Sequence, residues 1–437
     1  MTRSLRGFFL GSESEDGQAI ILIALTMLVM LMMVGVAIDA GQVYSARRAM
    51  QEAADAAAYA GSVTTYQGGS QAQAFAAAAA DATTNGYTNG VAGTTITIAQ
   101  PTTSPYNTTE FIEVTIVRNI TTALVPAQSA ITVVTVHAIS GAESLNNNYA
   151  IMALDRSATN NTFQTGSTAN INLSGGGVLV NSTGATAASS STPLGNWNIS
   201  CPSTNPCSID IAGGDTGSFP SAASGSPKYF DGTRTGQPQV SDPFAGYPKP
   251  STTGLTLDPA GFGPGNDTLQ AGIYDYNISG KNFCHGIYIL KGGGMGGDVG
   301  EDTSTADPSR PGYNCDGKVF IFNTLTNYPS TGGTCSGMVV NGNHDVTLSA
   351  MTTGTYAGLL FYQDSACTAA MDFGGTAFQL TATGTIYLPN AAFSANGQPT
   401  IAGGQVVAKT VDLGNATMNI TYNAGTSAQP KLPRLAK

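Results

Sequence analysis

The chain has 437 residues, a formal net charge of −10, only 10% charged residues, 41% hydrophobic residues and 54 glycines. Soluble globular domains usually carry roughly 25% charged residues, so this texture fits a β-rich surface protein better than a cytosolic enzyme. Its apolar content also separates it from disordered chains, which combine low hydrophobicity with high net charge. Between Ala49 and Pro227 the only basic residues are Arg118 and Arg156. No patch can neutralise a run of phosphates, which excludes nucleic acid as a partner.

Residues 1–18 hold Arg3 and Arg6, then Glu13, Glu15 and Asp16, and are expected to form a short cytoplasmic N-terminus. From Ala19 to Ile38 no charged residue occurs. A helix of that length spans about 30 Å, the thickness of a bilayer's hydrocarbon core. The expected anchor residues are Ala19, Ile20, Leu22, Leu25, Leu28, Leu31, Val34 and Ile38. A cleaved signal peptide is the alternative, with Gly35 and Ala37 as a cleavage pair. Signal peptides, however, have a positive flank and an apolar core of roughly 7–15 residues. Here the core is longer and acidic residues directly precede it, which favours a retained single-pass anchor.

Arg3 and Arg6 before the run and Arg47 and Arg48 after it leave the positive-inside count nearly even. The six cysteines, at 201, 207, 284, 315, 335 and 367, break the tie. An even number without metal-ligand spacing reads as disulfides in an oxidising compartment, so the bulk of the chain belongs outside a bacterial cytoplasmic membrane. Zinc is the rival reading, but His137, His285 and His344 do not sit at ligand spacing. Cys201 and Cys207 enclose a turn-forming "PSTNP" and suit a local bridge; the pairing of Cys284, Cys315, Cys335 and Cys367 stays open.

Past the apolar run, "DAGQVYSARRAMQEAADAAAYAG" has no proline and is rich in alanine, the best helix former. Val43, Ala46, Met50, Ala53, Ala57 and Ala60 recur at steps of three and four and make one small-residue stripe. Two readings stand: the helix packs on its own domain, or it forms a seam for self-association. A second helix is expected over 70–84. Alternating strands follow at 94–100, 111–119 and 131–140, an antiparallel sheet. Together, residues 39–142 read as a helical stem and small α+β, pilin-like module, and 143–150 as a linker.

The "GQA" start at Gly17, the uninterrupted apolar run, "IDAGQVYSARRAMQEAADAAAYAG" and the Ala-rich helix after it resemble the N-terminal region of TadE/TadG-like proteins of tight-adherence (Tad, or Flp) pilus assembly. The likeness is close over 17–62 and looser to about 142. It implies a membrane-held helix and pilus-assembly proteins as partners. One position departs: processed pilins carry Glu five residues past the cut, and with a cut at Gly17 that position is Leu22. The departure favours a TadG-like, unprocessed member over a filament subunit.

From 151 to 425 the texture changes to short apolar bursts broken by Gly, Asn and Ser. Those starting near Leu359, Ile386 and Val406 recur at spacings of 27 and 20. Recurrence at 20 or more residues without helical periodicity suggests a β-solenoid, or parallel β-helix, with Asn ladders between coils. A β-sandwich is the alternative, with strand spacing usually about 8–12 residues. Residues 426–437 are expected to be a solvated basic tail.

No catalytic constellation stands out. Asp210, Asp215, Asp231 and Asp242 lie in loop-rich sequence without a paired geometry of the kind glycoside hydrolysis needs. The expectation is therefore no enzyme and no cofactor, the alternatives being a carbohydrate-active surface β-helix enzyme and an envelope protein without a pilus link. Asp298, Glu301, Asp302 and Asp307 in the Gly-rich loop 292–312 offer oxygens to Ca²⁺, but at no EF-hand spacing. The aromatics of 224–254, Tyr229, Phe230, Phe244 and Tyr247, either stack on surface glycans or pack the loop onto the β domain. The whole reads as an anchored extracytoplasmic structural protein of Tad/Flp pilus assembly or surface adhesion.

Overall fold

The structure, a computed structural model, describes residues 16–66, 69–103, 106–108, 110–122, 133–144, 148–225, 228–261, 267–303, 315–375, 377–429 and 431–436. The chain divides into two compact units, Met1–Ser144 with Lys431–Lys437, and Leu145–Pro430.

The first unit begins with one continuous helix, α1 (Asp16–Tyr66), of 51 residues. The second helix, α2 (Gln71–Thr84), starts at a capping box. Its cap, Ser70, accepts from the Gln73 amide, while the Gln73 side chain accepts from the Ser70 amide. Reciprocal satisfaction of two orphan donors defines where a helix begins. Three strands follow, β1 (Thr94–Ala99), β2 (Phe111–Asn119) and β3 (Val133–Ser144), paired antiparallel in that order. Positions 131 and 132 of the third expected strand lie outside the described residues.

Alanine sets the geometry of this unit. Ala53, Ala54, Ala57 and Ala58 of α1 and Ala74, Ala78 and Ala82 of α2 share one core with Ile112, Val114 and Ile116 of β2 and Val134, Val136 and Ala138 of β3. Side chains that short bring the helix backbones close to each other and to the sheet. Gly61 of α1 shows the approach: a Cβ there would lie 2.7 Å from Ile112 Cδ1 and 3.1 Å from the Ala74 carbonyl oxygen.

Two expectations need correction here. The tail is not free: Lys431–Leu435 forms the fourth strand of this sheet, antiparallel to β3, with Lys431 opposite Ser144 and Leu435 opposite Ser140. The Ser140 hydroxyl donates to the Arg434 carbonyl at 2.9 Å and shares a 2.7 Å hydrogen bond with Ser62. The tail's composition hides this role because an edge strand tolerates Pro433 and needs no apolar alternation of its own. The linker is also shorter than 143–150, since β3 runs to Ser144 and the next strand starts at Tyr149.

The second unit pairs its strands in parallel along three ladders. The first runs through Gly272–Tyr274, Gly286–Lys291, Lys318–Thr324, Leu359–Gln363, residues 385–388 and 405–408, then Tyr149–Ala153, Gly177–Val180, Cys207–Ile211 and Phe230–Arg234. The second runs from Thr268–Leu269 through Ile278–Phe283, Met295–Glu301 and Asp345–Ala350 to residues 379–383 and 400–403, Thr417–Thr421, Asn170–Ser174 and Trp197–Ser200. The third joins Val339–Asn341, Met371–Gly375, residues 393–397 and 410–413, Phe163–Thr165, Ala188–Ser190 and Asp215–Gly217. Inward side chains of all three merge into one core that includes Ile151, Phe163, Ile171, Phe393, Ile401 and Met418.

Ladder order is not chain order. The last strands of the unit pair with its first, Val406 with Ile151 and Met418 with Ile171. The chain therefore enters in mid-ladder, runs to the end at Phe230–Arg234, crosses to the far end at residue 268 and builds back to its starting point. Residues 235–261 of the crossing form a strap over the outer face of the first ladder. Asn181 bonds Val240 twice, Asp242 accepts from the Tyr387 hydroxyl at 2.7 Å, and Lys249 meets Asp364 at 2.7 Å. Phe244 of the strap joins Phe320, Phe322, Tyr362, Tyr387 and Val407 of the ladder in a second apolar cluster. First-ladder strands such as Leu359–Gln363 are consequently buried on both faces, whereas Thr417–Thr421 alternates. That difference is why some bursts read as unbroken apolar runs and others as alternation.

Candidate functional site

The residues expected to anchor the chain in a membrane occupy the first half of α1. Ile20, Leu22, Leu25, Leu28, Leu31, Val34 and Ile38 are 48% to 69% exposed, while the Ala19 side chain lies outside the described residues. By length and composition this helix is able to cross a membrane. Each such side chain gives up roughly 1.5–3 kcal/mol when left in water rather than buried. Seven side chains facing outward on every side of one helix call for an apolar surrounding, not one partner face.

The stripe further along α1 divides. Met50, Ala53 and Ala57 are buried in the first unit's own core, Val43 packs against it half-buried, and Ala46 and Ala60 are half-buried. The stripe leaves out Ala54 and Ala58, both fully buried. Each stands one residue after a stripe position, and a core-facing helix buries a face wider than one seam. On the far side Arg48 and Glu52 pair at 3.0 Å, and Tyr44 and Tyr59 are exposed.

In the second unit all six cysteines are paired: Cys201 with Cys207, Cys284 with Cys315 and Cys335 with Cys367. The local bridge is the one its "PSTNP" loop suggests; of the other two, one joins the segments before the first-ladder strands Gly286–Lys291 and Lys318–Thr324, and the other joins the segments after Lys318–Thr324 and Leu359–Gln363.

The carboxylates considered for chemistry do not converge. Asp210 receives Arg234 through two nitrogens, at 2.7 and 2.9 Å, and the Tyr149 hydroxyl at 2.7 Å. Burial pushes its carboxyl up, but these hydrogen bonds and one to Ser208 outweigh it and hold it below the ordinary value. Asp242 is raised by burial, only partly offset by the Tyr387 hydroxyl and the Phe244 amide. Asp215 and Asp231 are exposed. In the acidic loop, Asp298 accepts from the Asp345 amide and contacts the His344 ring, and Asp302 accepts from Thr268. Glu301 is raised by burial, and Asp307 lies outside the described residues. No group of three His, Cys, Asp or Glu side chains fit to hold a metal occurs among the described residues. Of the four aromatics in 224–254, Phe230 and Phe244 are buried, Tyr247 packs beside Phe244, and Tyr229 is half-buried.

Residues 17–83 match the family model described as "Putative Flp pilus-assembly TadE/G-like". The match takes in the apolar span, the rest of α1 and nearly all of α2. No curated protein and no solved structure matches the chain.

Proposed function

We propose that this chain is a single-pass, membrane-anchored structural protein of a Tad/Flp-type pilus system, with its second unit on the extracytoplasmic side serving assembly or surface adhesion. The observation that carries the reading is the coincidence of two findings on one helix. Residues 17–83 match a TadE/G-like pilus-assembly family, and the same helix exposes an apolar run of membrane-spanning length. Three disulfides in the second unit support an oxidising, extracytoplasmic location for it.

The second unit reads best as a β-solenoid. Its support is the parallel register of three ladders with one shared core, in which Ile386 neighbours both Phe361 and Val406. A hairpin-built sandwich pairs its strands antiparallel. The carbohydrate-active alternative loses its first candidate, because the Asp210 carboxylate is engaged by Arg234, Tyr149 and Ser208.

Photo-crosslinking from Tyr44 and Tyr59, on the exposed side of α1, tests the pilus assignment in cells that make the full chain. The expected products contain pilus-assembly proteins. Efficient crosslinking to other envelope proteins alone would leave an anchored surface protein without a pilus role.

A further inference from the structure

The outer face of the second ladder is open, and its side chains repeat in two directions. Along its middle rank Thr347, Thr381, Ala402, Asn419, Asn172 and Asn198 succeed one another in register. A flanking rank runs Asp345, Gln379, Thr400, Thr417 and Asn170. On the other flank Thr421, Ser174 and Ser200 continue the pattern. All are exposed or half-exposed, while the residues between them, such as Leu348, Leu380, Ile401, Met418, Ile171 and Ile199, point into the core. Neighbouring strands lie about 4.8 Å apart and alternate residues about 6.6 Å apart, so the ranks form a lattice of roughly 24 Å by 13 Å.

Its chemistry is uniform. Apart from Asp345 at one corner and Ala402, every position named carries a hydroxyl or a carboxamide. Asn172 and Asn419 hold each other in place, the Asn172 amide donating to Asn419 at 2.8 Å. Such a ladder keeps the amides in one orientation and stiffens the sheet. The first ladder's outer face is covered by the strap, and the third carries Asp372 and Asp412 outward. Among the described residues, the stretch of the second ladder from Asp345–Ala350 to Trp197–Ser200 presents an ordered array of donors and acceptors whose one charge, Asp345, sits at the corner beside the exposed Asp298 of the next rung.

We propose that this face binds the surface of a neutral, β-linked polysaccharide. Its strand period is comparable to the advance per sugar in an extended β-linked glycan, so hydroxyls and carboxamides can meet sugar hydroxyls repeatedly in register. Each contact is weak, and retention comes from many contacts made together. Without a basic residue in the array, an acidic polymer gains no ion pair that would offset the loss of its hydration. The inference builds on the surface-exposed placement in the reading above. It deepens adhesion only, since the binding test is made on purified protein and does not depend on any pilus component.

The test is co-sedimentation of the full chain in detergent with crystalline cellulose, with chitin and with alginate. Thr381→Lys combined with Asn198→Lys puts two long cations on the face at exposed positions, and Gln164→Lys on the third ladder is the control. Circular dichroism melting confirms that each variant folds. Expected is retention on at least one neutral polymer and not on alginate, reduced about tenfold or more by the double variant and unchanged by the control. Retention on neither neutral polymer, equal retention of the double variant, or adsorption to ice in place of glycan would each overturn the assignment.

Discussion

The two units hold their residues by different means. In the first, two helices lay alanines on a small sheet, and the backbones come close enough that Gly61 admits no side chain without displacing Ile112. In the second, long ladders bury large side chains in layers, and neighbours in space such as Met418 and Ile171 are far apart in sequence. Close backbone approach makes a core sensitive to added volume. Stacked layers of large side chains make one sensitive to lost volume.

The largest effect expected from this contrast is in the second unit. Phe163→Ala removes a fully buried ring from the third ladder and should cost about 3–5 kcal/mol. Calorimetry of the full chain should show the transition of the second unit falling while that of the first stays in place; a joint shift of both would break the comparison. Next comes the opposite change in the first unit. Gly61→Val should destabilise it by about 1–3 kcal/mol, because its Cβ alone already crowds Ile112 and the Ala74 carbonyl. An unchanged melt at that position would mean the helices are not packed as closely as described.

Legibility in the sequence follows the same division. Helix periodicity is local, so the stripe through Met50, Ala53 and Ala57 can be read directly, and so can the alternation of β1 and β2. The bursts at Leu359, Ile386 and Val406 are recognisable as repeats because each returns to the same ladder. Ladder order is not. Parallel pairing of the first strands with the last uses no turn chemistry and leaves no local mark, so the join of Val406 to Ile151 is silent in sequence. The strap is foreseeable only as a loop that packs, since Phe244 and Tyr247 advertise burial without saying against what. Lys431–Leu435 escapes a local reading because its strand is specified by the open edge of β3. Of the chemical candidates, Asp210 looks unpartnered in sequence because Arg234 lies 24 positions on, across a ladder step.

Smaller effects sharpen the picture within the second unit. Disulfide stabilisation grows with the loop enclosed. The bridges Cys201–Cys207 and Cys284–Cys315 span 6 and 31 positions. Replacing the second pair with serines should cost about 1.5 kcal/mol more than replacing the first, from loop entropy alone. Paired urea titrations measure the difference, and equal losses would mean that strand pairing, not loop closure, holds these segments.

The smallest effect concerns the strap. Burial raises the Asp364 carboxyl, but hydrogen bonds from the Ala366 amide, Lys249 and Thr324 outweigh it and hold it below the ordinary carboxylate value. A depressed carboxyl contributes stability that is complete above its unfolded value and is lost as pH falls through the folded one. An unfolded aspartate titrates near pH ~3.9, so the loss belongs below that. Because Lys249 is 42% exposed, its share is on the order of 1 kcal/mol or less. Lys249→Met should flatten the acid limb slightly in melts taken from mildly acidic to strongly acidic pH; a change confined to neutral pH would contradict the role of the pair.

The anchored arrangement itself is tested most directly by fractionating cells that make the full chain. Alkaline carbonate extraction followed by mass spectrometry of the N-terminal segment reads both retention and processing. The expected result is a protein that stays in the membrane pellet with 19–38 intact, and whose second unit is reached by protease added from the outside. A soluble product beginning after Ala37 would contradict it.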